Sequence, residues 1–358
     1  MLRRTFVLSL MVALAGGPTL RAQKDKKQDE AQKKEIQNVV KVVDDVATGQ
    51  PAPDDLSIAW VREDVLKAQG NKEYIPFTVS VDPSKVSGGR VAFYWRVVPK
   101  GSAATEVATT GQKKDDKKDK DKKKSDYAYE DVSFVQAASE SPMRISRSFT
   151  VPAGEYDVFV VAKEPTPDKT AKNAPAPKMS VLKHSVTVPD FWNGELNTSS
   201  LIIAQRIDPL PAPLTDQQRA DRPYALGMME IIPAPDTKFT KKSELSTFLL
   251  IYNPKTDSAN KPDVMVEYSF CQAGTGSEPK SGEPCKAGEK FFNKTNPQNL
   301  NAQTLPPEFD LAAGHQLQSG QAVPLASFPE GQYRLEVKIT DKIANKSLTR
   351  EVNFSVNP

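Results

Sequence analysis

The sequence predicts an all-β protein of two tandem β-sandwich modules, preceded by a short N-terminal helix. Three observations predict it. Past residue 55 the apolar residues recur with a period of two, the signature of half-buried strands. Proline accounts for 29 of the 358 residues, and its exclusion from helix interiors and central strands argues against a largely helical chain. A closing segment also recurs. Pro152-Ala153-Gly154-Glu155-Tyr156-Asp157-Val158-Phe159-Val160 corresponds to Pro329-Glu330-Gly331-Gln332-Tyr333-Arg334-Leu335-Glu336-Val337, 177 residues further on.

At the N-terminus, Arg3 and Arg4 precede a charge-free run whose apolar centre, Phe6 to Ala15, is about ten residues long. That suits a secretory signal and is too short to span a bilayer. Residues 1–22 are therefore read as a signal peptide, cleaved after Ala15 or after Ala22, with export by the general or the twin-arginine route. The expected location is periplasmic or extracellular. No cysteine follows the apolar run, so neither a lipid nor a transmembrane anchor is expected. Residues 23–55 form a polar leader in which Ile36, Val39, Val40, Val43 and Val46 fall at helical spacing. Valine is a modest helix former, so this amphipathic helix needs a surface to pack on.

The formal charge is +3, and it falls to neutrality once Arg3, Arg4 and Arg21 leave with the signal. A generally basic surface is excluded, and with it a nucleic-acid partner. The charge is segregated: Lys113 to Lys124 holds eight Lys and four Asp without an aromatic or an Arg. Residues 112–126 are accordingly expected to be a solvated, disordered loop of the first module.

Module one is assigned to residues 56–190. Ile75, Phe77, Val79 and Val81 define one strand face, and Val91, Phe93, Trp95 and Val97 another. Residues 191–213 are too apolar for a free linker, with Phe191, Trp192 and Leu201 to Ala204, and are expected to pack across the junction. Module two, residues 214–358, repeats the pattern through Phe248, Leu250 and Tyr252, then Val264, Val266, Tyr268 and Phe270, at offsets of 171 and 173 residues. Each module ends in Gly-x-Tyr followed by alternating apolar residues. Glycine permits the bend and the tyrosine hydroxyl can tie the corner to nearby backbone, as an immunoglobulin-like sandwich requires. Cys271 and Cys285 bracket a Gly-, Ser- and Pro-rich loop; in an oxidising compartment they are read as a disulfide.

The stretches Glu244 to Asn253, Val264 to Phe270 and Phe328 to Val337, with Asp341, resemble the β modules of exported acidobacterial-type proteins. There such modules accompany GWxTD or von Willebrand A-type domains. Both companions are absent here: the sequence holds no Gly-Trp-x-Thr-Asp and no Asp-x-Ser-x-Ser. The resemblance covers most of module two and, more weakly, module one. It implies a fold and an export route, and no activity.

Neither histidine is assigned to catalysis: His184 belongs to a strand and His315 to a loop. No nucleophile elbow, zinc motif, P-loop or dinucleotide fingerprint is present, so no catalytic residue, metal or cofactor is assigned. Phe191 and Trp192, flanked by Asp190 and Glu195, are weak ligand-surface candidates for a sugar ring or a peptide. The expected function is that of an exported, non-catalytic interaction or scaffold protein whose partner is another envelope or secreted protein. The alternative is a glycan-binding accessory protein or a carboxylate-dependent envelope hydrolase.

Overall fold

A computed structural model describes residues 19–87, 89–101, 127–136, 142–166, 176–274 and 282–358. Most of the expected signal peptide and the whole of loop 112–126 lie outside the described residues. The rest is all-β, in four sheets that make two sandwiches.

In module one the outer sheet runs in the order Tyr129–Gln136, Arg90–Pro99, Gly154–Lys163, Met179–Val188. Its inner sheet centres on Glu73–Val81, which pairs with Ala59–Glu63, Leu66–Lys67 and Met143–Val151. In module two the inner sheet runs Ala225–Leu226, Met229–Pro233, Ile202–Pro209, Glu244–Tyr252, Leu317–Pro324, and Asn197–Thr198 also pairs with Glu244–Tyr252. The outer sheet runs Lys238–Thr240, Lys346–Asn357, Gly331–Asp341, Val264–Ala273, Glu289–Lys294, and Gln298–Leu300 joins it on Val264–Ala273. The segment read as a connector therefore supplies two strands of module two, because Ile202, Ile203 and Ala204 are apolar on both faces and find cover only inside a sheet stack.

The corner geometry follows the sequence. Tyr156 Oη donates to Pro152 O at 2.9 Å and Tyr333 Oη donates to Pro329 O at 2.7 Å. Gly154 and Gly331 precede them at φ +154° and +149°, in the region that favours glycine.

The matched strand faces of the two modules serve different cores. Phe248, Leu250 and Tyr252 do not face the core of their own module. That core is built by the opposite parity, Leu245, Leu249 and Ile251, with Val264, Val266, Tyr268, Leu335 and Val337 across the sandwich. Phe248, Leu250 and Tyr252 instead join Ile202 and Ala204 in the cluster that contains module one's core, with Phe77, Trp95 and Val160. The offset of 171 residues thus matched a core face to a junction face. A register one residue off flips every side chain of a strand.

The N-terminal helix, Thr19–Ala47, is present. Val39 and Val43 are buried against Tyr94, Phe159, Val161 and Val181 on the outer face of module one's outer sheet. Two ion pairs fasten it: Glu35 with Lys163, and Asp44 with Arg96 at 2.5 Å. The layers are helix, outer sheet, inner sheet, inner sheet, outer sheet.

Candidate functional site: the cleft between the sandwiches

The two inner sheets are stitched by polar contacts from a short run after the first strand. Tyr224 Oη donates to Asp64 Oδ2 at 2.8 Å, and Arg62 pairs with the same carboxylate at 2.9 Å. Val65 N donates to Ser200 Oγ at 2.8 Å, and Lys67 N donates to Tyr252 Oη at 3.0 Å. From the neighbouring strand, Tyr74 Oη donates to Pro223 O at 2.8 Å. Burial pushes the Asp64 carboxyl above its ordinary range, with Arg62 and Tyr224 pulling against it. Burial also raises Glu73, whose Oε1 accepts the Phe191 N–H at 2.9 Å while Oε2 has no partner.

Phe191 and Trp192 divide in role. Phe191 is 2% exposed and packs on Tyr252 with ring centroids 4.9 Å apart, so it closes the junction and offers nothing to a ligand. Trp192 is 40% exposed yet held in place. Its Nε1 donates to Lys72 O at 3.1 Å, and its backbone N donates to Asp190 Oδ1 at 2.7 Å. Lys67 Nζ sits 4.3 Å from the indole centroid and donates to Asn253 Oδ1 at 3.0 Å. Burial lowers the Lys67 ammonium below its ordinary range, with Glu73 and Asp190 acting to raise it.

The seam between the sandwiches is not fully closed. A cavity of about 860 Å³ lies beside Tyr74, Tyr129, Asp131, Arg147 and Asp221. A second, of about 720 Å³, lies beside Trp192, Tyr252, Asn253, Asn260 and His315. The two share Lys67, Ala68 and Gln316 in their linings, so they adjoin along the seam. Both volumes fall in the range of small-molecule sites. A smaller cavity of about 450 Å³ lies beside Arg62, Tyr224 and Asp221.

The carboxylates that line the two cavities, Asp131, Asp216, Asp221 and Asp310, are occupied, and the buried Asp64 and Glu73 do not line them. Asp131 Oδ1 accepts the Val132 N–H at 2.7 Å, and Asp310 Oδ1 accepts the Ala312 N–H at 2.8 Å. Asp221 pairs with Arg147 at 3.0 Å, and Asp216 pairs with Arg219. Of the acids that flank Trp192, Asp190 caps its backbone, and Glu195 pairs with Lys346 at 2.5 Å, which holds its carboxyl below the ordinary range.

His315 lines the cleft; its Nδ1 accepts the Asp310 N–H at 3.0 Å, which leaves Nε2 to carry the proton of the neutral ring. His184 lies elsewhere, stacked on Trp60 at 4.3 Å with Nε2 3.6 Å from Glu63 Oε2. Cys271 and Cys285 form the expected disulfide, with Cα atoms 5.6 Å apart. Glu289 lies near both sulfurs, but with the cysteines disulfide-bonded the thiolates a metal would need are spent. Sequence reasoning singled out Trp192 and did not single out Lys67, Asn253, Asn260 or His315 as its companions in the cavity lining. These residues are distant in the chain and no local motif joins them.

No protein-family model and no curated protein matches the chain. Among solved structures it is similar to Salmonella alpha-2-macroglobulin reacted with methylamine, at 11% identity over 85% of this chain and 17% of that one, with a TM-score of 0.18. A tyrosine-to-glycine mutant of that Salmonella protein gives 12% identity, the same coverage and the same TM-score. The chain thus spans 17% of the length of the structures it matches, and nothing about activity follows from a likeness of this degree.

Proposed function

We propose that the protein is an exported, non-catalytic interaction protein that uses its paired sandwiches as a scaffold to hold another envelope or secreted protein. The observation that carries this reading is the state of the carboxylates that line the two cavities. Glycoside hydrolysis by two acids needs a facing pair, one of which keeps its proton near neutral pH. Asp131, Asp216, Asp221 and Asp310 are each engaged by an N–H or a cation, and Lys346 keeps Glu195 ionised rather than proton-bearing. The surface is thereby suited to binding more than to proton transfer. The absence of a membrane-spanning helix among the described residues and the disulfide agree with an exported chain. The resemblance to exported acidobacterial-type modules supports the same route.

The test has two arms. The mature protein is offered a panel of polysaccharides and peptides, and no turnover is expected. Crosslinked affinity capture from the native envelope, beside a variant lacking Lys113 to Lys124, is expected to return a reproducible protein partner. Turnover that a single change such as Asp131→Asn abolishes would overturn the reading.

A further inference from the structure

We propose that the cavity at Trp192 is a binding site for a neutral oligosaccharide. This goes beyond the protein-partner reading and does not depend on it. Three features of the site point the same way.

The first is the fixed aromatic. An indole held at Nε1 by Lys72 O and at its backbone by Asp190 loses little freedom on binding; it is 40% exposed, lines the cavity, and carries the Lys67 ammonium 4.3 Å from its ring centroid. A pyranose ring has an apolar C–H face that covers such a surface, and a preorganised platform lowers the ordering cost of binding.

The second is the kind of polar group around it. Gln69, Asn260 and Gln316 bring amides, and His315 offers Nε2–H, its Nδ1 being taken by Asp310 N–H. Amides donate and accept at once, which is what a row of sugar hydroxyls demands. The Asn253 amide is engaged at both ends, donating to Phe191 O at 3.0 Å and to Glu195 O at 2.9 Å and accepting from Lys67 Nζ at 3.0 Å, so it fixes the platform and offers no N–H to a ligand.

The third is charge. The cavity is lined by one cation, Lys67, and one carboxylate, Asp310. These cancel, and the charges of Glu73 and Asp190 also act on Lys67. An acidic glycan, an acidic peptide or a nucleic acid would need a net positive lining. The lining selects a ligand rich in hydroxyls and without net charge.

The experiment is calorimetric titration of the mature protein with neutral hexasaccharides of glucose, xylose, mannose and N-acetylglucosamine, and with polygalacturonate as the acidic comparison. Binding of at least one neutral oligosaccharide is expected, weakened about tenfold or more by Trp192→Ala, and weakened about threefold by His315→Ala, at an exposed position. Because Trp192→Ala removes packing as well, Trp192→Phe serves as a second variant and should retain most of the affinity. No binding by any neutral oligosaccharide, preference for polygalacturonate, or affinity indifferent to both Trp192→Ala and His315→Ala would each overturn the site. A partner captured from the envelope leaves this outcome untouched, so the two readings fail separately.

Discussion

The outer sheets of the two modules are the same strands put to different uses. Tyr94, Phe159, Val161 and Val181 make the outer face in module one, and the N-terminal helix covers them. At the corresponding places module two carries Glu267, Glu336, Lys338 and Thr349, which are polar and partly or fully exposed. Where module one has Val98, module two has Cys271, whose disulfide lies beside the guanidinium of Arg334. Arg334 in turn binds Glu289, Glu336 and Glu351 at 2.6, 2.9 and 3.0 Å. One sandwich is completed by a docked helix and the other by a covalent staple with a charged network. A sheet has two faces to satisfy, and the residues on the second face decide what must cover it.

The largest effect is expected where the modules stop being separate. Phe191→Ala should cost about 3–5 kcal/mol, because a fully buried aromatic at the junction leaves a cavity that neither module can fill alone. Calorimetry should show both modules melting lower. A change confined to one of two resolved transitions would break the view that they share a core.

The helix and the disulfide can be compared directly. Val39→Ala with Val43→Ala removes four buried methyl groups and should cost about 3 kcal/mol at roughly 0.8 kcal/mol each. Cys271→Ser with Cys285→Ser should cost about 3 kcal/mol, for a loop near 15 residues, by releasing the unfolded chain. Denaturant unfolding should place the two losses side by side. The first variant should also bind a hydrophobic dye, since it uncovers Tyr94 and Phe159, whereas the second should not.

Next in size is an opposition in pH. Hydrogen bonds from Arg334 hold Glu289 below its ordinary 4.5, so its stabilisation is present above the usual carboxylate range and is lost as pH falls through the lowered value. Glu289→Gln should therefore cost about 2 kcal/mol at neutral pH and converge on the parent in acid. Burial raises Glu73 above 4.5, so its share of stability is full below that range and is lost as pH rises through the raised value. Glu73→Gln keeps an acceptor for Phe191 N–H and should gain on the parent as pH rises. Melting temperatures from pH 3 to pH 8 would read both slopes, and slopes of one sign would refute the contrast.

The smallest effect tests where the modules agree. Tyr156→Phe and Tyr333→Phe each remove one hydroxyl bond to a proline carbonyl and should each cost about 1 kcal/mol. A difference well beyond that between the two corners, measured in urea, would show that only one is a working tie.

Much of the architecture was legible from the chain. The Gly-x-Tyr corners announced themselves because the backbone bend and the hydroxyl bond are both local, at Tyr156 and Tyr333. The cysteine pairing was legible because there were only two thiols to pair. The helix was legible from its valine stripe, and so was its need for a surface. The strand Glu244–Tyr252 and its Phe248, Leu250, Tyr252 face were legible, but which face met its own core was not, because Phe248-Leu249-Leu250-Ile251-Tyr252 is apolar on both parities.

The sequence by itself determined the strand-rich class, the repeated module, the turns and the thiol pair, because each depends on residues near one another or on counts. Only the tertiary structure decided which faces were shared, that Phe191 lies inside while Trp192 stands at a cleft, and that Lys67, Asn253 and His315 converge there. Those residues are separated by up to 248 positions, and no local propensity encodes a meeting that exists only once two sandwiches have packed.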